Sequence, residues 1–235
     1  MKNLLLTFVL SLLCVSMNAQ ISSSERQILI DLYTATDGEN WTNTWDLNKT
    51  ASNWQGITIE ENKVIGISLL FNNMTGELPA TIGGLDYLEI LELSFNKLHG
   101  SIPTEIGDLE NLKIVAFNGN DLTGRIPPSL GNLNQLTQLH LSSNQLTGKI
   151  PETLINLNNL EVLNVFDNDL SGKIPSQLAY TRSLRELIVA ENNFEATNEF
   201  SNLILSSGAS IDLKDNHVIL PEAHQIIAIE SEEEN

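Results

Sequence analysis

Apolar residues recur along this chain with a fixed period of 24 residues. When the first unit is counted from Val64, apolar side chains occupy positions 1, 4 and 6, as Leu88, Leu91 and Leu93 show in the second unit. The later units begin at Leu112, Leu136, Leu160, Leu184 and Gly208. Alternation at positions 4 and 6 has the two-residue period of a strand with one buried face. The pattern therefore predicts one short strand in every unit.

Position 9 of the unit is asparagine throughout the array. The residues are Asn72, Asn96, Asn120, Asn144, Asn168, Asn192 and Asn216. An asparagine buried where a strand turns away can satisfy backbone N–H and C=O groups of its own coil and of the neighbouring coils. We therefore expect a structural asparagine ladder along the stack.

Glycine at position 13 and proline at position 16 complete the unit in five of the repeats, as Gly100 and Pro103 show in the second. Glycine permits a turn that other residues resist, and proline fixes the return segment. The whole unit reads Leu-x-x-Leu-x-Leu-x-x-Asn-x-Leu-x-Gly-x-Ile-Pro-x-x-Leu-Gly-x-Leu. Over about 64–217 it resembles the plant-type leucine-rich repeat. Similar repeats occur in plant receptor ectodomains, polygalacturonase-inhibiting proteins and secreted bacterial proteins.

The resemblance implies an α/β solenoid, a right-handed superhelix or horseshoe. A parallel β-sheet would line its concave face, and short helical or 3-10 segments its convex face. The same resemblance implies a module that recognises peptides, proteins or glycans and is not an enzyme.

The ends of the array need different covers, because a repeat cannot bury both of its own faces. Residues 20–63 are predicted to form an N-terminal cap, with Ser24 and Gln27 as a capping box before an amphipathic helix. Trp41, Trp45 and Trp54 all fall in this cap, where they either seal the core or stack on sugars. Residues 218–235 are predicted to form a C-terminal cap and acidic tail.

Residues 1–19 have the pattern of a secretory signal peptide, which predicts a secreted, periplasmic or cell-surface protein. Their apolar run is too short to span a bilayer, so no transmembrane segment is predicted. The single cysteine, Cys14, lies within this segment, so we expect neither disulfides nor a cysteine metal site in the mature chain. No cofactor or metal is predicted.

The formal net charge of −18 disfavours nucleic acid as a partner. It favours a protein or peptide partner, a basic one included, and leaves a polysaccharide open. Acidity that only keeps the protein soluble is the alternative interpretation.

Residues at positions 2, 3, 5, 7 and 8 are expected to point from the strands into the concave face. Leu70, Phe71 and Phe95 would then form an exposed apolar patch near the N-terminal cap, with Phe166 as a separate anchor. The alternative is that the cap folds over the first repeats and buries them.

At the other end of this face, Asp167, Glu191 and Asp215 stack at position 8, where like charges need compensation. A basic partner, a divalent cation, or nearby Arg185 and Lys214 could supply it. His140 completes the set of candidate ligand-binding residues.

The sequence leaves two other functions as alternatives to protein recognition. Glycan or ice binding would use the position-12 row of Thr75, Thr123, Thr147 and Ser171, which His99 and Glu195 interrupt in what is predicted to be a turn. A hydrolase would use His140 and Ser142 with Asn164 and Asp167, but no oxyanion loop accompanies them.

Overall fold

The computed structural model describes residues 21–181 and 183–195, together with the backbone segments 210–212 and 217–219. The predicted signal peptide, Lys214, Asp215, Asn216 and most of the predicted C-terminal cap lie outside the described residues.

Helix α1, Ser23–Ala35, opens the described chain. Its N-cap is Ser22, whose hydroxyl accepts from the backbone N–H of Glu25 while the Glu25 carboxylate accepts from the backbone N–H of Ser22. The predicted capping box of Ser24 and Gln27 was therefore wrong, because the N-cap lies two residues earlier, at Ser22. Gln27 instead donates to Asp31 one turn along the helix. Both pairs fit serine followed three residues later by an acid or amide, and only Ser22 stands before the first helical residue.

Seven strands form the main sheet of the described residues. They are β1 Ile57–Glu60, β2 Lys63–Ser68, β4 Ile90–Glu92, β6 Ile114–Ala116, β8 Gln138–His140, β10 Val162–Asn164 and β12 Glu186–Ile188, in that spatial order. The cap strand β1 pairs antiparallel with β2, and every later pair is parallel. The cap hairpin thus covers the first edge of the sheet, which would otherwise expose unpaired backbone groups.

A second set of short parallel strands follows the first in each coil. These strands are β3 Thr75–Glu77, β5 Lys97–Ser101, β7 Asp121–Thr123, β9 Thr147–Gly148, β11 Asp169–Gly172 and β13 Asn193–Phe194. They pair as β3-β5-β7 and β9-β11-β13, with an isolated bridge between Arg125 and Thr147 joining the two groups. The position-12 residues therefore lie on strands, and the prediction that they belong to a turn was wrong. Three-residue segments carry too little periodicity for the sequence to distinguish strand from turn.

Short 3-10 helices form the return segments, as the resemblance implied. Two lie in the cap, at Gly38–Asn40 and Ala51–Asn53. One per repeat follows at Ala80–Gly84, Thr104–Asp108, Pro128–Asn132, Glu152–Asn156 and Ser176–Tyr180. In these repeats proline precedes the first helical residue, because its fixed φ suits the entry to a helical turn.

The three tryptophans seal the N-terminal end of the core. Trp41, Trp45 and Trp54 are 4%, 3% and 2% exposed. Trp45 and Trp54 stack with ring centroids 4.8 Å apart. Each indole N–H donates to a backbone carbonyl, of Thr36, Gln55 and Asp46 respectively. Sugar stacking by these rings is excluded, because buried rings offer no free face.

The predicted asparagine ladder is present from Asn96 to Asn192. In each rung the Oδ1 atom accepts from the backbone N–H 22 residues earlier, as Asn120 does from Leu98 at 3.0 Å. The Nδ2 atom donates to carbonyls of its own coil and of the preceding coil, for Asn120 those of Phe117 and Leu93. Asn72 begins the ladder differently, because its Oδ1 accepts from Asn43 of the cap and its buried Nδ2 has no partner among the described residues.

The strand predicted for the seventh unit, β14 Ser210–Asp212, pairs antiparallel with β15 His217–Ile219. It therefore does not extend the parallel sheet as the period predicted. No helix within the described residues is long and apolar enough to cross a membrane.

We predict that Asn120→Ala lowers the free energy of unfolding by about 2–3 kcal/mol. It leaves the buried Leu98 N–H without its acceptor and removes one of the two asparagine donors to each of the Leu93 and Phe117 carbonyls. Equilibrium urea unfolding followed by circular dichroism measures this change. The control is Asn158→Ala, which removes an exposed amide that donates to Asn156. Equal stability of the two variants would show that the ladder contributes nothing.

The buried carboxyl of Glu25 makes the stability of the fold depend on pH. Burial raises the pKa of this carboxyl, but hydrogen bonds from Ser22 and from the Val64 N–H, with the charge of Lys63, outweigh burial and lower the pKa. A carboxyl with a lowered pKa in the folded state stabilises the fold above its unfolded pKa of about 4.3, and this stability is lost as the pH falls through the folded pKa. Glu25→Gln should therefore lower stability at pH 7 and flatten its decline in acid. The control is Glu110→Gln, at an exposed glutamate, which should keep the decline in acid. Urea unfolding titrations across the acid range compare the two variants.

Candidate binding surface

The central strands of the main sheet present positions 3 and 5 of each repeat on one face, because position 4 is buried in the core. In β4, for example, Leu91 is fully buried while Ile90 and Glu92 are half-buried. The residues at positions 7 and 8, which follow each strand, border this face. The chemistry of this face changes along the stack.

Position 8 lies in the left-handed region of backbone conformation in every described repeat. The φ angles are 52° at Phe71, 58° at Phe95, 63° at Gly119, 51° at Ser143, 54° at Asp167 and 54° at Glu191. The prediction that position 8 points from a strand was therefore wrong, since each strand ends at position 5 and the chain turns before the asparagine. For residues other than glycine this conformation costs about 1–2 kcal/mol, and it is a clear outlier for bulky side chains.

Phe71 and Phe95 stack on one another in this strained position. Their ring centroids are 4.5 Å apart and their planes differ by 6°. Phe71 is 66% exposed and Phe95 is 49% exposed. The alternative prediction, that the cap folds over the first repeats and buries these rings, was wrong. The buried side chains of the cap cover the end of the core at the first coil and leave the concave rim exposed.

Gly119 occupies position 8 of the third repeat and is the next residue of this column after Phe95. A Cβ atom at Gly119 would lie 2.8 Å from Cδ1 of Phe95, so no side chain fits there without moving the ring. Phe95 therefore leans over the backbone of the next coil. The two rings and the bare backbone form one continuous surface, which we call the aromatic stack (Phe71, Phe95 and Gly119).

The exposure of position 7 differs from coil to coil, although the sequence predicted that every position-7 side chain points into the concave face. Leu70 is 40% exposed beside the aromatic stack, but Ser94 and Ala190 are buried. Phe166, predicted to be a separate anchor, is half-buried. Leu70 and the aromatic stack therefore hold most of the accessible apolar surface of this face.

Polar side chains along the middle of the face bond to one another across coils. The Ser68 hydroxyl donates to Glu92, and the Ser142 hydroxyl donates to Asn118 at 3.0 Å. His140 Nε2 lies 3.2 Å from Oε1 of Gln138. The two members of the candidate hydrolytic pair, His140 and Ser142, thus bond to other partners, and the geometry gives the hydrolase hypothesis no support.

Burial favours the neutral form of His140. Burial lowers its pKa, while the charges of Glu186 and Glu92 act in the opposite direction without reversing the shift. The ring therefore presents a neutral donor or acceptor to the concave face. That suits a hydrogen bond with a peptide better than attraction to an anion.

The C-terminal end of the face carries acidic side chains. Asp167 and Glu191 are both exposed at position 8, and Asp215 lies outside the described residues. Arg185, one of the residues expected to neutralise them, lies 3.6 Å from Glu161 instead. No group of three potential ligands that could hold a metal ion occurs within the described part of the chain.

A column of basic residues at position 14 was not predicted. It consists of Arg125, Lys149 and Lys173 in three successive repeats, and all three are exposed. The 24-residue period alone predicts such a column, but position 14 lies outside the strand positions expected to face the concave side.

A family model for the leucine-rich repeat matches residues 87–109, 111–133, 135–157 and 159–180. No curated protein sequence matches the chain.

Solved structures give wider coverage. The ectodomain of the Arabidopsis thaliana receptor kinase GASSHO1/SCHENGEN3, in complex with Casparian strip integrity factor 2, is 32% identical with a TM-score of 0.69, over 76% of this chain and 22% of that one. A plant ice-binding protein is 28% identical with a TM-score of 0.69, over 74% of this chain and 58% of that one. A chain of the Arabidopsis thaliana BIR3–SERK2 complex is 30% identical with a TM-score of 0.61, over 73% of this chain and 95% of that one.

This chain thus spans about a quarter of the receptor ectodomains PEPR1 and GASSHO1/SCHENGEN3 and nearly all of the matched chain of the BIR3–SERK2 complex. The repeat model, the match over nearly all of the chain from the BIR3–SERK2 complex and the observed coils all agree. The chain belongs to the leucine-rich repeat family.

Proposed function

We propose that this protein is a secreted, non-catalytic module that recognises a protein or peptide through the concave face of its main sheet. The aromatic stack with Leu70 is the apolar anchor, and the acidic repeats around Asp167 and Glu191 form a charged flank. His140 lies between the two ends and offers a neutral hydrogen bond.

The observation that carries the proposal is the combination of exposure and strain at the aromatic stack. Two phenylalanines occupy a conformation that costs each of them about 1–2 kcal/mol and that glycine or asparagine would adopt more easily. Phe71 is 66% exposed and Phe95 is 49% exposed, so core burial does not offset this cost. Strained, exposed aromatic residues are typical of binding sites, where large rigid side chains provide much of the affinity.

The similar structures support a binding role of this kind. The GASSHO1/SCHENGEN3 ectodomain is seen in complex with Casparian strip integrity factor 2, and another matched chain comes from the BIR3–SERK2 complex. The first is the ectodomain of a plant membrane receptor kinase, which agrees with the secretion predicted from residues 1–19. The acidic flank and a formal net charge of −18 favour a partner with basic residues beside an apolar one.

Ice binding is the weaker candidate, although one similar structure is an ice-binding protein. The hydroxyl row at position 12 lies on the second set of strands, but His99 and Glu195 interrupt it and both are exposed. A regular row of small hydroxyl side chains is therefore confined to Thr123, Thr147 and Ser171.

We predict that the double variant Phe71→Asn and Phe95→Asn keeps its free energy of unfolding within about 1 kcal/mol of the unmodified chain. The loss of aromatic packing, worth about 0.5–1.5 kcal/mol, is offset by relief of the left-handed strain, which asparagine tolerates. Urea unfolding measures the change, and Leu91→Ala, in the core, should by contrast lose about 2–5 kcal/mol. A comparably large loss in the double variant would assign the rings a structural role.

The same double variant tests the proposed function. A random peptide library displayed on phage is selected against the immobilised full chain, and the recovered peptides are then bound to the variants. We expect peptides with an apolar or aromatic residue next to basic ones, and at least about 30-fold weaker binding to the double variant, as loss of an anchor of about 2 kcal/mol implies.

Ser143→Asn is the matched control, because it makes the same residue at position 8 in a repeat away from the aromatic stack. It should bind the selected peptides as the unmodified chain does. Selected peptides that bind the double variant with undiminished affinity would contradict the proposal that the aromatic stack is the anchor.

A further inference from the structure

Glu92 is a half-buried glutamate at position 5 of the second repeat, on the concave face. The four ion pairs of the described residues do not include it. Glu89 and Glu161, which precede β4 and β10, by contrast pair with Lys113 and Arg185 of the next repeat. A half-buried carboxylate without a cation loses hydration and gains no attraction in return. Among the described residues, the charge of Glu92 is thus not compensated.

One oxygen of this carboxylate is held by its neighbour in the sheet. Ser68 stands opposite Glu92 in the pairing of β2 with β4, and its hydroxyl donates to Oε2 at 2.9 Å. The other oxygen, Oε1, accepts no hydrogen bond from the described part of the chain. A hydroxyl orients a carboxylate but does not neutralise it. Oε1 is therefore available to a charged donor of a ligand.

The sheet leaves room for such a donor on the other side of Glu92. Ala116 stands opposite Glu92 in the pairing of β4 with β6, and His140 stands opposite Ala116 in the pairing of β6 with β8. Parallel strands are about 4.8 Å apart, so the backbones of Glu92 and His140 flank the small alanine at a separation of about 10 Å. Burial lowers the pKa of His140 and favours the neutral ring, which does not repel a cation.

This carboxylate lies beside the aromatic stack. Glu92 and Phe95 are three residues apart in one coil, and the two side chains between them, Leu93 and Ser94, are buried. Charge and aromatic surface therefore adjoin each other on the concave face. The next repeat has alanine and glycine at the same two positions, so its own side chains leave this space open to a ligand.

We propose that Glu92 makes the concave face select a peptide in which a lysine or arginine adjoins the apolar anchor residue. This inference rests on the proposed function, because the anchor residue packs on the aromatic stack. The ammonium or guanidinium group lies over Ala116, donates to Oε1 of Glu92 and supplies the cation that the described residues lack there. Charge-assisted hydrogen bonds are about twice as strong as neutral ones. Glu92 thereby specifies the residue next to the anchor, whereas Asp167 and Glu191 lie three and four repeats away.

Glu186 provides the matched control. It is also half-buried on the concave face and forms no ion pair within the described residues. Its charge, like that of Glu92, acts on the pKa of His140. It lies in the sixth repeat, however, where position 8 is Glu191 and not an aromatic residue. A change that acts through net charge or through His140 alone would have the same effect at both glutamates.

The experiment selects a random peptide library displayed on phage against three immobilised full-length baits, the unmodified chain, Glu92→Lys and Glu186→Lys. The recovered peptides are sequenced and aligned on their apolar residue. From the unmodified chain and from Glu186→Lys we expect lysine or arginine at a fixed separation from the apolar residue. From Glu92→Lys we expect aspartate or glutamate at that separation. Urea unfolding of each bait shows that it is folded.

A milder variant, Glu92→Gln, measures the size of the effect. A peptide selected by the unmodified chain is synthesised together with an analogue in which its lysine or arginine is replaced by glutamine. The analogue should bind the unmodified chain about tenfold more weakly, as the loss of one charged hydrogen bond implies. On Glu92→Gln the two peptides should bind with similar affinity, and on Glu186→Gln the tenfold difference should remain.

This inference and the proposed function fail in different ways. Selection of the same basic residue by Glu92→Lys, or its loss from Glu186→Lys as well, would overturn the role of Glu92. So would apolar peptides without a charged residue at a fixed separation, even where weak binding to the Phe71→Asn and Phe95→Asn variant upholds the aromatic anchor. Peptides that bind that variant with undiminished affinity, or no recovered peptide, would contradict the proposed function and the role of Glu92 together.

Discussion

The asparagine ladder is the interaction on which the rest of this structure depends. Each coil turns out of the sheet before position 9, and the carbonyl of position 6 and the N–H of position 11 then need partners in the interior, as Leu93 and Leu98 show. From Asn96 onward, one side chain satisfies donors and acceptors of two adjacent coils, which fixes their spacing and register. Because an unsatisfied buried group costs about 1–3 kcal/mol, the period of the chain cannot drift by one residue without loss at every rung.

The ladder also explains why the concave rim is strained. The residue before each ladder asparagine takes the left-handed conformation so that the amide can turn into the core. Natural choices for that position are glycine, asparagine or aspartate, and the chain uses glycine at residue 119 and aspartate at residue 167. Ser143, Glu191 and, at the end of the array nearest the cap, Phe71 and Phe95 depart from this rule. The two phenylalanines are the bulkiest of these residues, so local backbone preference explains them least.

The coil has two accessible faces with different chemistry. The concave face runs from the aromatic stack to acidic repeats, and the flank formed by the second set of strands carries three exposed cations, Arg125, Lys149 and Lys173. The same 24-residue period generates both, because any residue repeated at one position becomes a column on the surface.

The sequence by itself determined the repeat, its register, the strand in each described coil and the ladder. Positions 1 and 4 are buried in every described repeat and positions 6 and 9 in most of them, and burial restricts which residues they accept. The sequence also located Leu70, Phe71 and Phe95 on one face. Tertiary structure alone decided that the phenylalanines stack in left-handed conformation, that Ser22 and not Ser24 caps the helix, and that position 12 lies on a strand. The cap depends on which serine stands before the first helical turn, and the other two features depend on which residues meet across coils. Contacts across coils join residues 22 to 27 positions apart, beyond the reach of a local pattern.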